Sequence, residues 1–337
     1  MALTAYGFCR SGEKAETVTK ANDDKVVVAY VTSWSDVIPD ANLVSHINYA
    51  FGHVKDTFDG VRVDNPDRLR EIVKLKDKNS NLKVLLSVGG WGSGNFSEMA
   101  ASDSLRRLFA EDCARMVEEF GLDGIDIDWE YPTSKAAGIS HSDNDTENFT
   151  LMMRDLREAL GNDRLLTLAS VNNARYVDFR SLLNTIDFVN IMAYDMNIKG
   201  SHHAPLYESE LTAPHTAAHA VAAHIDSGVP PRQIVLGLPF YGKDRNDKSR
   251  RYKDIRLGEG EQFMWDSIAK IPYIADSCGE YIFGFEDERS IAAKADFIRK
   301  KGLRGAMYWE AGGDDSLMTL TKAVYYGVFP CALSSSD

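Results

Sequence analysis

The sequence predicts a (β/α)8 barrel folded as one domain over residues 25–330. Eight short apolar runs, rich in β-branched or aromatic residues and bounded by turn signals, alternate with stretches of helical periodicity. No Gly-rich dinucleotide fingerprint follows the first run, which places a doubly wound sheet second. One central run carries three acids at alternate positions, a pattern that suits the mouth of such a barrel.

The first strand is expected at Lys25–Val31 and the second at His46–Phe51. Pro66–Lys76 then shows apolar residues at i, i+3 and i+4, the spacing of an amphipathic helix. The third strand is Leu82–Val88, followed by a long helix over Ser97–Phe120. Gly124–Trp129 is the fourth strand, Glu147–Leu160 the next helix, and Leu165–Val171 the fifth strand. Phe188–Tyr194, a helix over Ala213–Ser227, and Gln233–Pro239 follow. Glu288–Lys301 is helical, Leu303–Trp309 closes the set of strands, and Asp315–Tyr326 ends it as a helix. No internal repeat or low-complexity tract interrupts this order after residue 24.

The 337 residues are 44% hydrophobic and 26% charged, enough to bury a sizeable core. Against 38 Lys and Arg stand 50 Asp and Glu, a net charge of −12. An acidic chain without a basic stripe is a poor nucleic-acid binder, so a neutral or cationic polymer is the expected partner. No apolar run is long enough to span a bilayer. Cys9, Cys113, Cys278 and Cys331 match neither a zinc site nor a compact disulfide framework, and Cys113 reads as an inert core thiol. Residues 1–24 lack the basic-then-apolar order of a signal peptide and read as a leader or linker.

The segment GLDGIDIDWEYP, residues 121–132, carries the chemistry. Strand side chains alternate, so Asp126, Asp128 and Glu130 share one face while Ile125, Ile127 and Trp129 share the other. The apolar set suits the helix side, which leaves the carboxylates lining the barrel interior near its C-terminal mouth. Asp123 has the opposite parity and starts the strand; cap and functional roles are both open for it. Such a row suits chelation of a hard cation or acid catalysis. The aromatic surroundings favour sugar chemistry, since flat rings stack on the apolar faces of sugars. Trp129 and Tyr131 flank Glu130, and Trp34, Trp91 and Trp309 fall at strand ends.

At this point the sequence resembles glycoside hydrolase family 18, the chitinase family. Asp123-Gly-Ile-Asp126-Ile-Asp128-Trp129-Glu130 matches the family's DxxDxDxE signature in full. Further blocks occur in the family's order: KVVVAYVTSWS at 25–35, HINYAF at 46–51, and SVGGW at 87–91. Met192-Ala-Tyr194-Asp195, GLPFYG at 237–242 and Met307-Tyr-Trp309-Glu310 complete the set. The resemblance covers residues 25–326 and implies a (β/α)8 barrel that hydrolyses β-1,4-linked N-acetylglucosamine polymers by substrate-assisted, retaining catalysis. Carried over, Glu130 is the acid/base. Asp128 orients the substrate's acetamido group, and Asp126 shares a proton or hydrogen bond with Asp128. Tyr194 donates to the acetamido carbonyl, Asp195 binds the distorted sugar, and Trp309 floors the pocket. Trp91, Tyr131, Met192, Tyr241 and Trp34 complete the expected sugar-binding set, while Ser87, Gly89 and Gly90 read as structural.

The resemblance implies no cofactor and no metal; the His202–His203 pair lacks further ligand spacing and reads as loop or rim. It implies chitin or N-acetylglucosamine oligosaccharides as partner, a monomer, and a secreted, periplasmic or cell-surface location. Two alternatives stand beside it: an endo-β-N-acetylglucosaminidase acting on N-glycan chitobiose cores, and a non-catalytic chitin-binding lectin. Lectin-like relatives typically lack the acid that Glu130 supplies here. The sequence departs from the family at Ala169–Asn173, where an Ala-Pro-Ala-like stretch is usual. It departs again at residues 243–284, a short, charged span where many members carry an α/β insertion. That span is expected to form a reduced insertion without a core of its own, leaving a shallow cleft open at both ends.

Overall fold

The computed structural model describes residues 24–330 apart from Lys199. The expected leader (residues 1–23), Cys9 and Cys331 lie outside the described residues.

Eight parallel strands close on themselves: β1 (Val26–Thr32), β2 (His46–Val54), β4 (Lys83–Gly89), β5 (Gly124–Asp128), β6 (Leu165–Val171), β7 (Phe188–Met192), β8 (Ile234–Pro239) and β14 (Gly305–Trp309). Each pairs with the next, and β1 pairs with both β2 and β14, which closes the barrel. A short strand β3 (Val61–Val63) folds back antiparallel on the extended end of β2. The helices α1 (Pro66–Val73), α2 (Phe96–Ala100), α3 (Asp103–Phe120), α4 (Asp145–Leu160), α5 (Ala217–Asp226), α6 (Glu288–Lys301) and α7 (Thr319–Val328) surround it.

The parity read from the sequence sets what faces where. Ile125, Ile127 and Trp129 join the main core between strands and helices, with the Trp129 ring stacked on Phe96 at 5.2 Å. A side chain buried in such a core contributes roughly 1.5–3 kcal/mol. Two glycines permit the close packing around β5. A Cβ at Gly124 would lie 2.0 Å from the Leu165 carbonyl oxygen. One at Gly89, whose φ is +132°, would lie 2.0 Å from that of Asp128.

Several helices differ in their bounds from the sequence reading: the last starts at Thr319 rather than Asp315 and runs to Val328, the first ends at Val73, and α4 starts at Asp145. The stretch 97–120 breaks at Ser102, whose hydroxyl caps α3 by accepting from the Leu105 N–H. The helix expected from Ala213 starts at Ala217, because the Thr216 side chain caps it by accepting from the His219 N–H.

The larger correction concerns the insertion. It folds as a five-stranded antiparallel sheet of β9 (Tyr241–Asp244), β10 (Ser249–Arg251), β11 (Gln262–Asp266), β12 (Ile271–Ala275) and β13 (Tyr281–Gly284). Ile255, Ile274, Phe283 and Phe285 form a small apolar cluster within it. A compact sheet stitched back to the barrel needs fewer buried residues than an independent unit, and the expectation of no core overlooked this.

Candidate active site

The acids stand where strand alternation puts them. Asp126 is fully buried inside the barrel and accepts four hydrogen bonds from four other strands. Tyr30 Oη and Ser87 Oγ donate to Oδ2, each at 2.8 Å. Thr167 Oγ1 at 2.6 Å and Asn190 Nδ2 at 3.2 Å donate to Oδ1. Burial raises its pKa, and the four donors push back. Both oxygens are thus engaged, and no hydrogen bond joins Asp126 to Asp128 among the described residues.

Asp128, two residues on, is only 4% exposed, and its Oδ1 has no hydrogen-bond partner among the described residues. Burial first, then the charges of Glu130 and Asp126, hold its carboxyl well above the usual range. Glu130 lies at the strand end. Burial raises its pKa to about 7, with Asp195's charge adding and a Tyr131 hydrogen bond opposing. A carboxyl at about 7 is protonated in a useful fraction near neutral pH, as a proton donor must be. Tyr194 is buried, and burial together with the neighbouring anions keeps its hydroxyl protonated.

Asp195 follows β7 at a left-handed φ of 55°. Burial works to raise its pKa, but His203 and Lys243 overcome it and bring the carboxyl to about 2. Its Oδ1 lies 3.0 Å from Lys243 Nζ and 3.5 Å from His203 Nδ1, and accepts from Tyr241 Oη at 2.8 Å. This carboxylate is therefore a fixed anion, whereas Glu130 is poised to exchange its proton.

A cavity of about 650 Å³ opens at the C-terminal end of the barrel. Asp128, Glu130, Tyr131, Met192, Tyr194, Asp195, Tyr241 and Trp309 line it, as do Trp34 and Trp91. Of the expected site residues, only Asp126 lies outside the lining, beneath it. The Trp309 ring stacks on Phe51 at 5.6 Å and 21°. Trp34 and Trp91 are 65% and 66% exposed, so their faces are open to a ligand. Ala169, Val171 and Asn172, from the stretch that departs from the family pattern, line the same cavity.

Sequence reasoning missed Phe51, Lys243 and Asp247, which also line it. Lys243 directly follows the Phe-Tyr-Gly block, but in sequence it opens the charged insertion and carries no sign of facing the cavity. His202 and His203 are fully buried rather than at the rim. His202 packs edge-on against the stacked rings of Tyr273 and Tyr281 and lies 3.4 Å from Asp266, so it docks the insertion. Asp123 is structural: it pairs with Lys76 at 2.8 Å and accepts from the Val84 N–H at 2.9 Å.

A poised acid beside buried carboxylates, in an aromatic cavity at the C-terminal face of a barrel, defines a glycoside-cleaving class of enzyme. The chain belongs to glycosyl hydrolases family 18, which it matches over residues 26–314. It is 33% identical over 311 residues to chitinase A1 of Niallia circulans, a match covering 77% of this chain and 44% of that protein. Chitotriosidase-1 of Mus musculus is 30% identical over 86% of this chain and 73% of its own. Among solved structures, a family 18 N-acetylglucosaminidase from Paenibacillus barengoltzii superposes with a TM-score of 0.82 at 33% identity, covering 90% of this chain and 99% of that one. The chitinase from Rhizomucor miehei gives 0.79 at 28% identity, covering 90% and 100%.

Proposed function

We propose that the protein hydrolyses β-1,4-linked N-acetylglucosamine chains with retention of configuration, the substrate's own acetamido group serving as nucleophile. One observation carries this reading: a carboxyl held near 7 at Glu130 beside a buried acceptor, Asp128 Oδ1, that has no donor among the described residues. A buried polar atom without a partner is costly, and an acetamido N–H supplies the missing donor.

In the first step Glu130 gives its proton to the glycosidic oxygen. The acetamido carbonyl oxygen attacks the anomeric carbon as the bond to the leaving sugar breaks. The product is an oxazolinium ion, with Asp128 accepting its N–H and Tyr194 donating to its oxygen. The nucleophile is already in place, so the step gains from proximity. In the second step Glu130, now a carboxylate, takes a proton from water that attacks the anomeric carbon, and the acetamide re-forms. Asp126 anchors the strand that carries both acids. A polymer of this kind is met outside the cell, which accords with a secreted or cell-surface location, and the monomer suffices for the site described.

The exposed rings of Trp34 and Trp91 favour an unbranched chain over the chitobiose core of an N-glycan. Incubation with the N-acetylglucosamine hexamer and with a high-mannose glycopeptide, read by product mass, tests this. Cleavage of the hexamer is expected. Cleavage of the glycopeptide alone would replace this reading with the glycan-trimming one.

A further inference from the structure

A second polar constellation lies behind the Trp91 side of the cleft. Trp91 stands in a stretch that gives its ring little support. Gly90 and Gly92 have φ of +93° and +84°, and a Cβ at Gly94 would meet nothing within 4 Å. The Ser93 N–H donates to the Gly90 carbonyl at 2.9 Å, so residues 90–93 form a turn with Trp91 and Gly92 at its centre. A positive φ at the third turn position is what a type II turn requires, and glycine supplies it. The Trp91 ring is 66% exposed, and its aromatic neighbour Tyr131 lies 6.4 Å away, edge-on.

A hydrogen-bonded chain holds the turn in place. Ser93 Oγ lies 2.8 Å from His53 Nδ1, and His53 Nε2 lies 2.9 Å from Asp64 Oδ2. Asp64 is fixed in turn by Arg62 at 2.5 Å, and its N–H donates to the Phe51 carbonyl at 3.0 Å. With His53 neutral, Nε2–H donates to Asp64 and Nδ1 accepts from the Ser93 hydroxyl. With His53 protonated, both nitrogens donate. The chain therefore holds in either state. Among the described residues the other hydrogen bonds of this stretch lie at its ends: the Gly90 N–H donates to the Asp128 carbonyl at 2.9 Å, Asn95 Nδ2 donates to the Val54 carbonyl and to Asp56 Oδ1, each at 3.2 Å, and the Asn95 carbonyl accepts from the Met99 N–H at 3.1 Å.

We infer that His53, oriented by Asp64 and bonded to Ser93, is a positioning residue of the cleft: it fixes the turn that presents Trp91 to a sugar of the bound chain. The inference rests on the reading above that the cleft binds N-acetylglucosamine chains. A preorganised aromatic platform binds more tightly than one that must be ordered on binding, because the ordering cost is already met. The charged groups facing His53 are Asp64 on one side and, around the adjoining cavity, Lys55, Asp56 and Arg62.

The test is a double-mutant cycle on the N-acetylglucosamine hexamer with Ser93→Ala, Trp91→Ala and the pair. Ser93→Ala should raise KM about 5-fold, the equivalent of one neutral hydrogen bond, with kcat within about 2-fold. Ser93→Thr, which keeps the hydroxyl, should restore KM. In the Trp91→Ala background, Ser93→Ala should change KM by less than about 2-fold, since the platform it positions is gone. Additive effects would overturn the inference and leave Ser93 a purely structural residue. A second readout does not depend on turnover. With 5-fluorotryptophan incorporated, the ¹⁹F resonance assigned to Trp91 should shift in Ser93→Ala and in His53→Ala while that of buried Trp129 stays. An unmoved Trp91 line would overturn the inference even if the hexamer proves not to be a substrate, an outcome that would count against the proposed function instead.

Discussion

Replacing the two residues that set the charge beside Glu130 should move the alkaline limb of the pH–rate profile in opposite directions. The step from 4.5 to about 7 at Glu130 amounts to about 3 kcal/mol in favour of the neutral acid, at about 1.36 kcal/mol per pH unit. Burial is its largest cause, so Asp195 supplies the smaller part. Two unit charges about 10 Å apart in an effective dielectric of about 20 interact by about 1.7 kcal/mol, or about one pH unit. Asp195→Asn removes the anion, eases ionisation of Glu130, and should bring the limb down from about 7 to about 6. Lys243→Met removes the cation 3.0 Å from Asp195. Asp195 rises from about 2 toward an ordinary aspartate near about 3.9 but stays ionised at neutral pH. Its charge then acts on Glu130 unscreened, and the limb should move up by several tenths of a pH unit. The assay is kcat/KM for the N-acetylglucosamine tetramer from pH 4 to 9, a quantity that reports the free enzyme. Asp128 and Glu130 titrate as a pair, so the limb belongs to the pair. Because each variant is compared by the position of its limb, a lower rate does not obscure the result. Shifts of the same sign, or an unmoved limb in Asp195→Asn, would refute the electrostatic argument.

Other outcomes follow from the same geometry. Glu130→Gln should lose at least about 10²-fold in kcat with binding largely kept, as measured by initial rates and calorimetry. The same variant should melt a few degrees higher than wild type at pH 8. A carboxyl whose folded pKa is raised contributes its stability below about 4.5 and loses it as pH rises through about 7, so the difference should vanish at pH 4 in calorimetric scans. The first product should be the β-anomer by proton NMR, and cellulose oligomers, which lack the acetamido group, should not turn over. Gly89→Ala should leave little soluble protein, because its Cβ meets the Asp128 backbone and its φ suits glycine alone. Normal yield and activity would show that β4 can shift.

The barrel was legible because strand and helix periods differ and few residues break them. Leu165–Val171 and Glu288–Lys301 have the same bounds in sequence and structure, since turn residues and a capping box at Asp287 and Ser290 mark their ends. The acids were legible for a related reason: a period of two assigns Asp126, Asp128 and Glu130 to one face without any knowledge of their partners. Those partners were less accessible. Tyr30, Ser87, Thr167 and Asn190 come from four strands, and only the closed barrel brings them to one carboxylate. His202 and His203 misled because a histidine pair between Gly200-Ser201 and Ala204-Pro205 looks like a surface loop. Their burial depends on a sheet formed some 60 residues later in the chain.

That sheet alters the argument about the cleft. Its strands are short, β12 and β13 are mostly buried while β11 is largely exposed, and β10 is exposed and entirely polar, Ser249-Arg250-Arg251, so that strand adds no apolar signal in sequence. Yet Lys243 and Asp247, from its first hairpin, line the cavity that holds Asp128 and Glu130. Lys243 bridges Asp195 and Asp247 at 3.0 and 3.1 Å. The insertion is held from behind as well. Buried Lys294 on α6 pairs with Glu286 and donates to the Ala204 carbonyl at 2.6 Å, which ties the helix to the loop that carries His202 and His203. A shallow cleft open at both ends was expected because the insertion was expected to lack a core. With the sheet in place that ground is gone: its Lys243 lines the cavity and holds Asp195, the carboxylate whose charge raises the proton affinity of Glu130. Changes in this sheet should therefore reach catalysis through Asp195, by altering the proton affinity of Glu130, as well as through the shape of the groove.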